Sequence, residues 1–77
     1  MQKQPSSVII YKRGDAYYCD VRGCFGGGFT GAFAGNTAED AGLFALLQKS
    51  RYIDNNPQGG DMYLPQEIRE AIEKVKV

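Results

Sequence analysis

The sequence has no histidine, no tryptophan and only two cysteines, and its nine basic residues balance nine acidic ones. Without histidine, the chain lacks the commonest general base of enzymes and the Ser-His and Cys-His pairs of nucleophilic catalysis. Its carboxylates fall mainly at predicted turns, helix caps and solvated helix faces, where they need no catalytic role. We therefore expect that this protein is not an enzyme.

Metal and cofactor motifs are missing as well. Cys19 and Cys24 are the only cysteines, whereas a structural zinc site needs four ligands. The run from Gly26 to Gly31 matches G-x-G-x-x-G, but the next helix cap comes only at Asn36. A dinucleotide-binding turn would enter its helix directly. We expect no cofactor and no bound metal.

Long apolar runs are also absent, since none approaches the roughly 18 residues of a membrane-spanning helix. The segment from Met1 to Ser7 is too polar for a signal peptide. We therefore expect a cytoplasmic protein with reduced thiols and no membrane partner. Cys19 alternates with core residues and is expected to be buried, whereas Cys24 is expected to be partly exposed. A short loop closed by a disulfide between them is the alternative.

What the sequence does contain is the pattern of one small α+β domain. Its content of 43% hydrophobic and 23% charged residues is ordinary for a globular protein and argues against disorder. The elements are predicted in the order β-β-β-α-β-α, as an antiparallel sheet of three to four strands with two helices. This domain covers residues 1–77, of which residues 1–6 are expected to be flexible.

Residues 7–13 and 16–22 are rich in β-branched and aromatic side chains and are predicted to form a hairpin. Gly14-Asp15 between them suits a type II′ turn, which prefers glycine at its first central position. A two-residue loop fixes the register, so Tyr11 should lie opposite Tyr18. One face of the hairpin then carries the predicted core residues Val8, Ile10, Cys19 and Val21.

The other face of the hairpin is predicted to bind a partner. It carries Ile9, Tyr11, Arg13, Tyr18 and Arg22. Tyrosine and arginine are enriched among the residues that dominate binding energy at protein interfaces. The alternative is that one helix packs on each face of the sheet, which would bury both tyrosines.

The remaining elements are read from turn formers and from helical periodicity. A turn at residues 26–28 precedes a third strand over residues 29–34, with Phe29 and Phe33 on one face. A helix begins after Asn36 or Thr37 and ends near Ser50. Its apolar stripe is predicted to contain Ala38, Ala41, Phe44, Ala45 and Leu47, widened by Leu43 and Leu46. A fourth strand over residues 61–64 leads through Pro65 into a last helix, whose buried face is predicted to contain Ile68, Ala71, Ile72 and Val75.

Four segments carry a resemblance: Tyr17-Tyr18-Cys19-Asp20-Val21, Ala32-Phe33-Ala34-Gly35, residues 38–47, and Leu64-Pro65-Gln66-Glu67-Ile68. Their layout resembles that of small phage-encoded inhibitors of bacterial defence, in particular anti-CRISPR proteins that act on type I systems. The glycine run at residues 26–28 and the long final helix depart from that layout. The resemblance implies a cytoplasmic, non-enzymatic protein that blocks a nucleoprotein effector by occupying one of its surfaces.

These observations predict a non-enzymatic protein-binding module whose partner is another protein or a nucleoprotein complex. Two alternatives stay open. A single-stranded nucleic-acid binder would stack bases on Tyr11 and Tyr18 and set Lys12, Arg13 and Arg22 against phosphates, although the zero net charge disfavours it. A small structural protein would use the same face as the twofold interface of a homodimer.

Overall fold

The computed structural model describes residues 5–23 and 27–75 and places them in the predicted order β-β-β-α-β-α. The strands are β1 (Ser6–Arg13), β2 (Ala16–Arg22), β3 (Phe29–Gly35) and β4 (Gly60–Tyr63). The helices are α1 (Ala38–Gln48) and α2 (Gln66–Val75), and a π-helical turn, Lys49–Ile53, follows α1 directly. The predicted α+β class is confirmed.

The hairpin of β1 and β2 has the predicted register. Tyr11 lies opposite Tyr18, and the ladder runs without a shift from Arg13 and Ala16 at the turn towards the far end of the strands. Gly14 has a φ of 66°, whereas Asp15 has no positive φ, which is the pattern of a type II′ turn. The two-residue turn therefore sets which side chains share a face.

The start of β1 is more ordered than the sequence predicts. Ser6, which falls in the predicted flexible segment, is fully buried and belongs to the strand. Its amide donates to the carbonyl of Gly59 at 3.1 Å, and its hydroxyl accepts from Nδ2 of Asn56 at 2.9 Å. These bonds tie the first strand to the loop before β4. Residues 1–4 lie outside the described ranges.

The sheet is mixed, with strand order β3-β2-β1-β4. The predicted antiparallel pairing holds for β1, β2 and β3, whereas β4 departs from it. β4 pairs with β1 in parallel, and Val8 lies opposite Met62. β3 is antiparallel to β2, so β3 and β4 run in the same direction. Strands with that relation need a long crossover connection, which α1 and the π-helical turn provide.

The helix α1 begins as predicted and continues into a different helical geometry. The hydroxyl of Thr37 accepts from the amide of Asp40 at 3.1 Å and caps the first turn. The sequence predicts an end near Ser50, but the π-helical turn extends to Ile53, which is buried. The amide of Asp54 then donates to the carbonyl of Lys49 at 2.9 Å, an i to i+5 bond typical of a π-helix.

The buried stripe of α1 consists of small residues and a glutamine: Ala41, Gly42, Ala45 and Gln48. Leu43 and Leu47 are each 54% exposed, so their predicted place in the apolar stripe is wrong. A β-carbon on Gly42 would lie 3.1 Å from Cγ1 of Ile72. The small side chains of α1 face inwards because they let α2 pack closely on α1.

The helix α2 is placed mainly as predicted. Ile68, Ala71 and Ile72 are buried, whereas Val75 is 51% exposed, contrary to the prediction, at the last turn of the helix. The hydroxyl of Tyr17 donates to Oε2 of Glu67 at 3.1 Å and links α2 to β2. None of the helices in the described ranges is long and apolar enough to cross a membrane.

Both helices pack on the same face of the sheet. A single buried cluster joins the predicted hairpin residues with residues of both helices, and it consists of Val8, Ile10, Tyr17, Cys19, Val21, Ala34, Ala41, Ala45, Ile53, Ile68 and Ile72. The alternative with one helix on each face of the sheet is therefore wrong. The physical reason is the small stripe of α1, which accommodates α2 beside it.

The thiol of Cys19 lies in this cluster, as predicted, and is fully buried. Burial raises the pKa of Cys19 to about 11, so the thiol stays protonated and unreactive at neutral pH. Cys19 therefore acts as a small apolar side chain. Cys24, predicted to be partly exposed, lies outside the described residues, as does Gly26 of the predicted glycine turn.

The packing of α2 gives a first prediction. The Ile72→Ala variant should lose about 2–4 kcal/mol of the free energy of unfolding, because the truncation opens a cavity against Gly42 of α1. Urea denaturation followed by circular dichroism measures this loss. Val75→Ala is a matched control on the exposed end of α2 and should change stability by less than about 0.5 kcal/mol. Equal stability of the Ile72→Ala variant and the wild type would contradict the packing of α2 on α1.

Candidate interaction surface

The face of the sheet opposite both helices carries aromatic and basic side chains. We call it the open face and define it by the five predicted residues with two additions: Ile9, Tyr11, Arg13, Tyr18, Arg22, Phe33 and Tyr63. Directly paired residues share a face, and Ile9 pairs with Tyr63 while Tyr18 pairs with Phe33. Phe33 is 56% exposed and Tyr63 is 52% exposed, which is unusual for side chains of this size.

Three aromatic rings form a continuous row across β1, β2 and β3. The ring centroids of Tyr11 and Tyr18 are 6.1 Å apart, and the rings are stacked with an angle of 29° between their planes. The centroids of Tyr18 and Phe33 are also 6.1 Å apart, in an edge-to-face arrangement at 78°. Both geometries are favourable for aromatic pairs. The predicted contact between Tyr11 and Tyr18 is confirmed, and Phe33 extends the row by one ring.

Phe33 reaches this row because β3 contains an irregularity. Val21 pairs with Phe29 and Cys19 pairs with Ala32, so β3 advances three residues while β2 advances two. The extra residue is a β-bulge, and Gly31 within it has a φ of 73°, a conformation that favours glycine. One inserted residue reverses the alternation of side chains along the strand.

The reversal separates two phenylalanines that the sequence places on one face. Phe29 packs against the core, edge to face with Tyr52 at 6.2 Å between centroids. Phe33 lies on the open face beside Tyr18. The prediction that Phe29 and Phe33 share a face is therefore wrong, since it assumes regular alternation from residue 29 to residue 34.

The carboxylate of Asp20 lies at the bulge and joins it to the open face. Its Oδ1 accepts from the amide of Gly31 at 2.7 Å and from the hydroxyl of Tyr11 at 3.1 Å. Its Oδ2 accepts from Nη2 of Arg22 at 3.2 Å. The residue is only 7% exposed, and these three donors satisfy its charge. We call these four residues the Asp20 cluster.

The Asp20 cluster sets the protonation states on the open face. The hydrogen bond from the Gly31 amide is the main cause that lowers the pKa of Asp20, assisted by Tyr11 and Arg22 and opposed by burial. Burial first, and then the hydrogen bond to Asp20, raise the pKa of Tyr11. At neutral pH Asp20 is therefore an anion and Tyr11 a neutral donor, which fixes the orientation of the Tyr11 ring.

The two predicted arginines differ in the bonds that they form with other residues of the protein. The side chain of Arg22 is 65% exposed and bonds to Asp20 through one terminal nitrogen. Arg13 is exposed at the hairpin end and makes no hydrogen bond or salt bridge to the described residues. The open face therefore offers one oriented and one unpaired guanidinium for carboxylate or phosphate groups of a partner.

Other kinds of site find little support in the described part of the chain. Within residues 5–23 and 27–75, no group of three or more histidine, cysteine, aspartate or glutamate side chains is placed to hold a metal ion. The glycine run that matches a dinucleotide fingerprint leads into β3, and the next helix begins only at Ala38. The phosphate-binding geometry of that fingerprint requires a helix at this point.

Comparison with known proteins adds no relative. No protein-family model, no curated protein and no solved structure matches this chain. The assignment of a function therefore depends on the open face.

The structure brings the five predicted residues to one face and adds Phe33 and Tyr63, which the sequence pattern did not predict there. Phe33 was missed because its face depends on the bulge at Gly31, and five glycines between residues 23 and 31 hide the position of that bulge. Tyr63 was missed because it reaches Ile9 only through the parallel pairing of β4 with β1. The sequence signal that could have indicated Tyr63 was its place in the short predicted strand before Pro65.

The Asp20 cluster predicts how stability depends on pH. The pKa of Asp20 is lower in the folded chain than the value of about 3.9 of an unperturbed aspartate. Its contribution to stability is therefore complete above pH about 5 and is lost as the pH falls through the folded pKa. Asp20→Asn should lower the free energy of unfolding at pH 7 and weaken its further decrease in acid. Urea denaturation between pH 7 and pH 2 measures both effects.

A matched variant controls for the change of net charge. Asp61→Asn removes one exposed carboxylate from β4 and should retain the acid-induced loss of stability that the wild type shows. An Asp20→Asn variant with wild-type stability at pH 7 and a wild-type acid profile would contradict the role of the Asp20 cluster.

Proposed function

We propose that this chain is a non-enzymatic protein-binding module whose partner seats on the open face. The observation that carries the proposal is the row of Tyr11, Tyr18 and Phe33, which lies opposite both helices and is partly exposed. Contiguous exposed aromatic side chains on a small domain mark interaction sites. Rings flanked by arginines have the composition of the residues that dominate binding at such sites.

The chemistry of the open face suits a protein partner with apolar and acidic groups. The rings of Tyr18 and Phe33 supply apolar area, and the guanidinium of Arg13 supplies planar donors at the hairpin end. Asp20 already holds Tyr11 and Arg22 in position. Side chains that are ordered before binding lose less conformational entropy when the complex forms, which strengthens binding.

The resemblance to anti-CRISPR proteins suggests a partner class for this surface. An inhibitor of a type I effector would act by occupying one surface of a nucleoprotein complex in the host cytoplasm. The open face supplies a surface for such blocking without any catalytic group. We therefore propose purified type I effector complexes as the first partners to test.

A second candidate function is favoured by the spacing of the rings. Stacked aromatic side chains on an open sheet bind unpaired bases in several families of RNA- and single-stranded-DNA-binding domains. The centroids of Tyr11, Tyr18 and Phe33 are 6.1 Å apart in each neighbouring pair, and Arg13 and Arg22 flank the row. The equal numbers of basic and acidic residues count against it, since such binding depends strongly on positive charge.

The proposal predicts the result of removing two rings together. The Tyr11→Ala, Tyr18→Ala double variant should bind an effector complex more weakly than the wild type by about 2 kcal/mol or more. It should remain folded, because both rings lie outside the buried cluster. Calorimetric titration measures the affinity, and circular dichroism measures the fold.

Two controls make this test specific. The Leu43→Ala, Leu47→Ala double variant removes exposed apolar side chains from α1 and should bind as the wild type does. A Tyr11→Phe variant separates the loss of the ring from the loss of the hydrogen bond to Asp20. Normal binding by the tyrosine double variant would contradict the proposal. Binding of a labelled oligothymidylate that falls steeply with salt would favour the nucleic-acid function instead.

A further inference from the structure

The strand β4 lies at one end of the sheet and exposes main-chain groups along its outer edge. The amide of Ser6 donates to the carbonyl of Gly59, which sets the alternation of bonds between β4 and β1. In a parallel ladder with this register, Asp61 and Tyr63 bond to β1. The N–H and C=O groups of Gly60 and Met62 therefore point away from the sheet.

The outward N–H and C=O groups of Gly60 and Met62 have no main-chain partner among the described residues, since β4 ends the sheet and no loop or helix bonds to them. At the neighbouring position, the carbonyl of Leu64 accepts from Nε of Arg69 at 3.3 Å. The opposite edge of the sheet is different, because the register of β3 is shifted at two places, and such irregularities protect an edge from further pairing. β4 has a regular register, and its four residues suit pairing with a short segment.

A cavity lies beside this edge on the side of the helices. It has a volume of about 240 Å³, and its apolar lining consists of Leu46, Met62, Leu64 and Ile72. This volume is smaller than the roughly 300–1,000 Å³ of typical sites for small-molecule ligands. Met62 contributes both to the cavity lining and, through its main chain, to the edge. The cavity is therefore suited to a side chain of a segment that pairs with β4.

Charged side chains at the cavity determine which partner fits. Nζ of Lys49 is paired with Oδ1 of Asp54 at 2.8 Å. The terminal nitrogens of Arg69 have no hydrogen bond to the described residues, since only its Nε is engaged. Glu73 also lines the cavity, and the guanidinium of Arg69 is the basic group of this lining that forms no salt bridge with a described carboxylate. An acidic group that pairs with Arg69 complements this arrangement.

We propose that the edge of β4 and this cavity, together the edge groove, bind an extended peptide segment of a partner protein. The segment pairs with the main chain of Gly60 and Met62, inserts an apolar side chain into the cavity and directs a carboxylate to Arg69. Strand addition of this kind gains affinity from main-chain bonds and specificity from side-chain pockets. The edge groove shares no residue with the open face, although Tyr63 of the open face lies between Met62 and Leu64 on the chain. Binding at the edge groove does not depend on the function proposed for the open face.

The probe for the test is a displayed library of random decapeptides, selected against the full chain. The selected sequences should combine an apolar residue with an acidic one, and the synthetic consensus peptide should shift the amide resonances of Gly60 and Met62. Replacing the acidic residue of the peptide by its amide should weaken binding to the wild type about tenfold. The same replacement should have little effect on binding to an Arg69→Gln variant.

Main-chain pairing is tested on both molecules. Met62→Pro removes the outward N–H, whereas Met62→Ala keeps it and shortens the side chain in a comparable way. The proline variant should bind the consensus peptide about tenfold more weakly than the alanine variant. N-methylation of alternate peptide residues tests the same bonds without any change to the protein. Methyl groups on the peptide N–H groups that face β4 should abolish binding, whereas methyl groups on the alternate N–H groups, which face away from β4, should be tolerated.

The proposal would be overturned by a selection without an enriched consensus or by equal tolerance of N-methylation in both registers. It would also be overturned by a consensus peptide that shifts the resonances of Tyr11 and Tyr18 and leaves those of Gly60 and Met62 unchanged. A dimer in light scattering that Met62→Pro converts to a monomer would also overturn it, since a second copy would then occupy the edge. The Tyr11→Ala, Tyr18→Ala double variant should bind the peptide normally. A wrong proposal for the edge groove can thereby be distinguished from a wrong proposal for the open face.

Discussion

The hydrogen bond from the amide of Gly31 to the carboxylate of Asp20 connects the backbone of β3 to the surface of the sheet. Gly31 takes a positive φ within the bulge, and Asp20 is the residue of β2 that faces it. An aspartate buried in a sheet is costly without partners, and this one has three donors from three different strand positions. The position of the bulge determines that Phe33, and not Phe29, joins Tyr18 on the open face. The surface to which we assign the function therefore depends on one buried carboxylate.

Much of the central hairpin could be predicted because a two-residue turn leaves no freedom in its register. The pairing of Tyr11 with Tyr18 and the burial of Cys19 follow from Gly14-Asp15 and alternation alone. The faces of β3 could not be predicted, since the inserted residue lies in a glycine-rich stretch without periodicity. The parallel pairing of β4 was also inaccessible, because it depends on the path of the crossover through α1 and not on any local pattern. The open face was thus predicted in its centre and missed at both margins, at Phe33 and Tyr63.

The leucines of α1 show how packing can override a periodic pattern. An apolar stripe read from hydrophobicity includes Leu47, yet the structure turns Ala41, Gly42 and Ala45 inwards and leaves Leu47 exposed. Small side chains allow α2 to approach at Gly42, and both helices then share one face of the sheet. In a chain of 77 residues this arrangement buries one face well, and no helix among residues 5–23 and 27–75 covers the other. The uncovered aromatic face is a direct consequence of the alanine- and glycine-rich helix.

The most direct test of this account is an NMR titration of the Gly31 amide in the wild-type protein. If Asp20 accepts from this amide, its proton should exchange slowly at neutral pH, and its chemical shift should follow the protonation of the carboxyl group. The inflection should lie below the ordinary aspartate value of about 3.9, because the same bond lowers the pKa of Asp20. A chemical shift that is constant through the acid range, together with the exchange rate of an unprotected amide, would contradict the account.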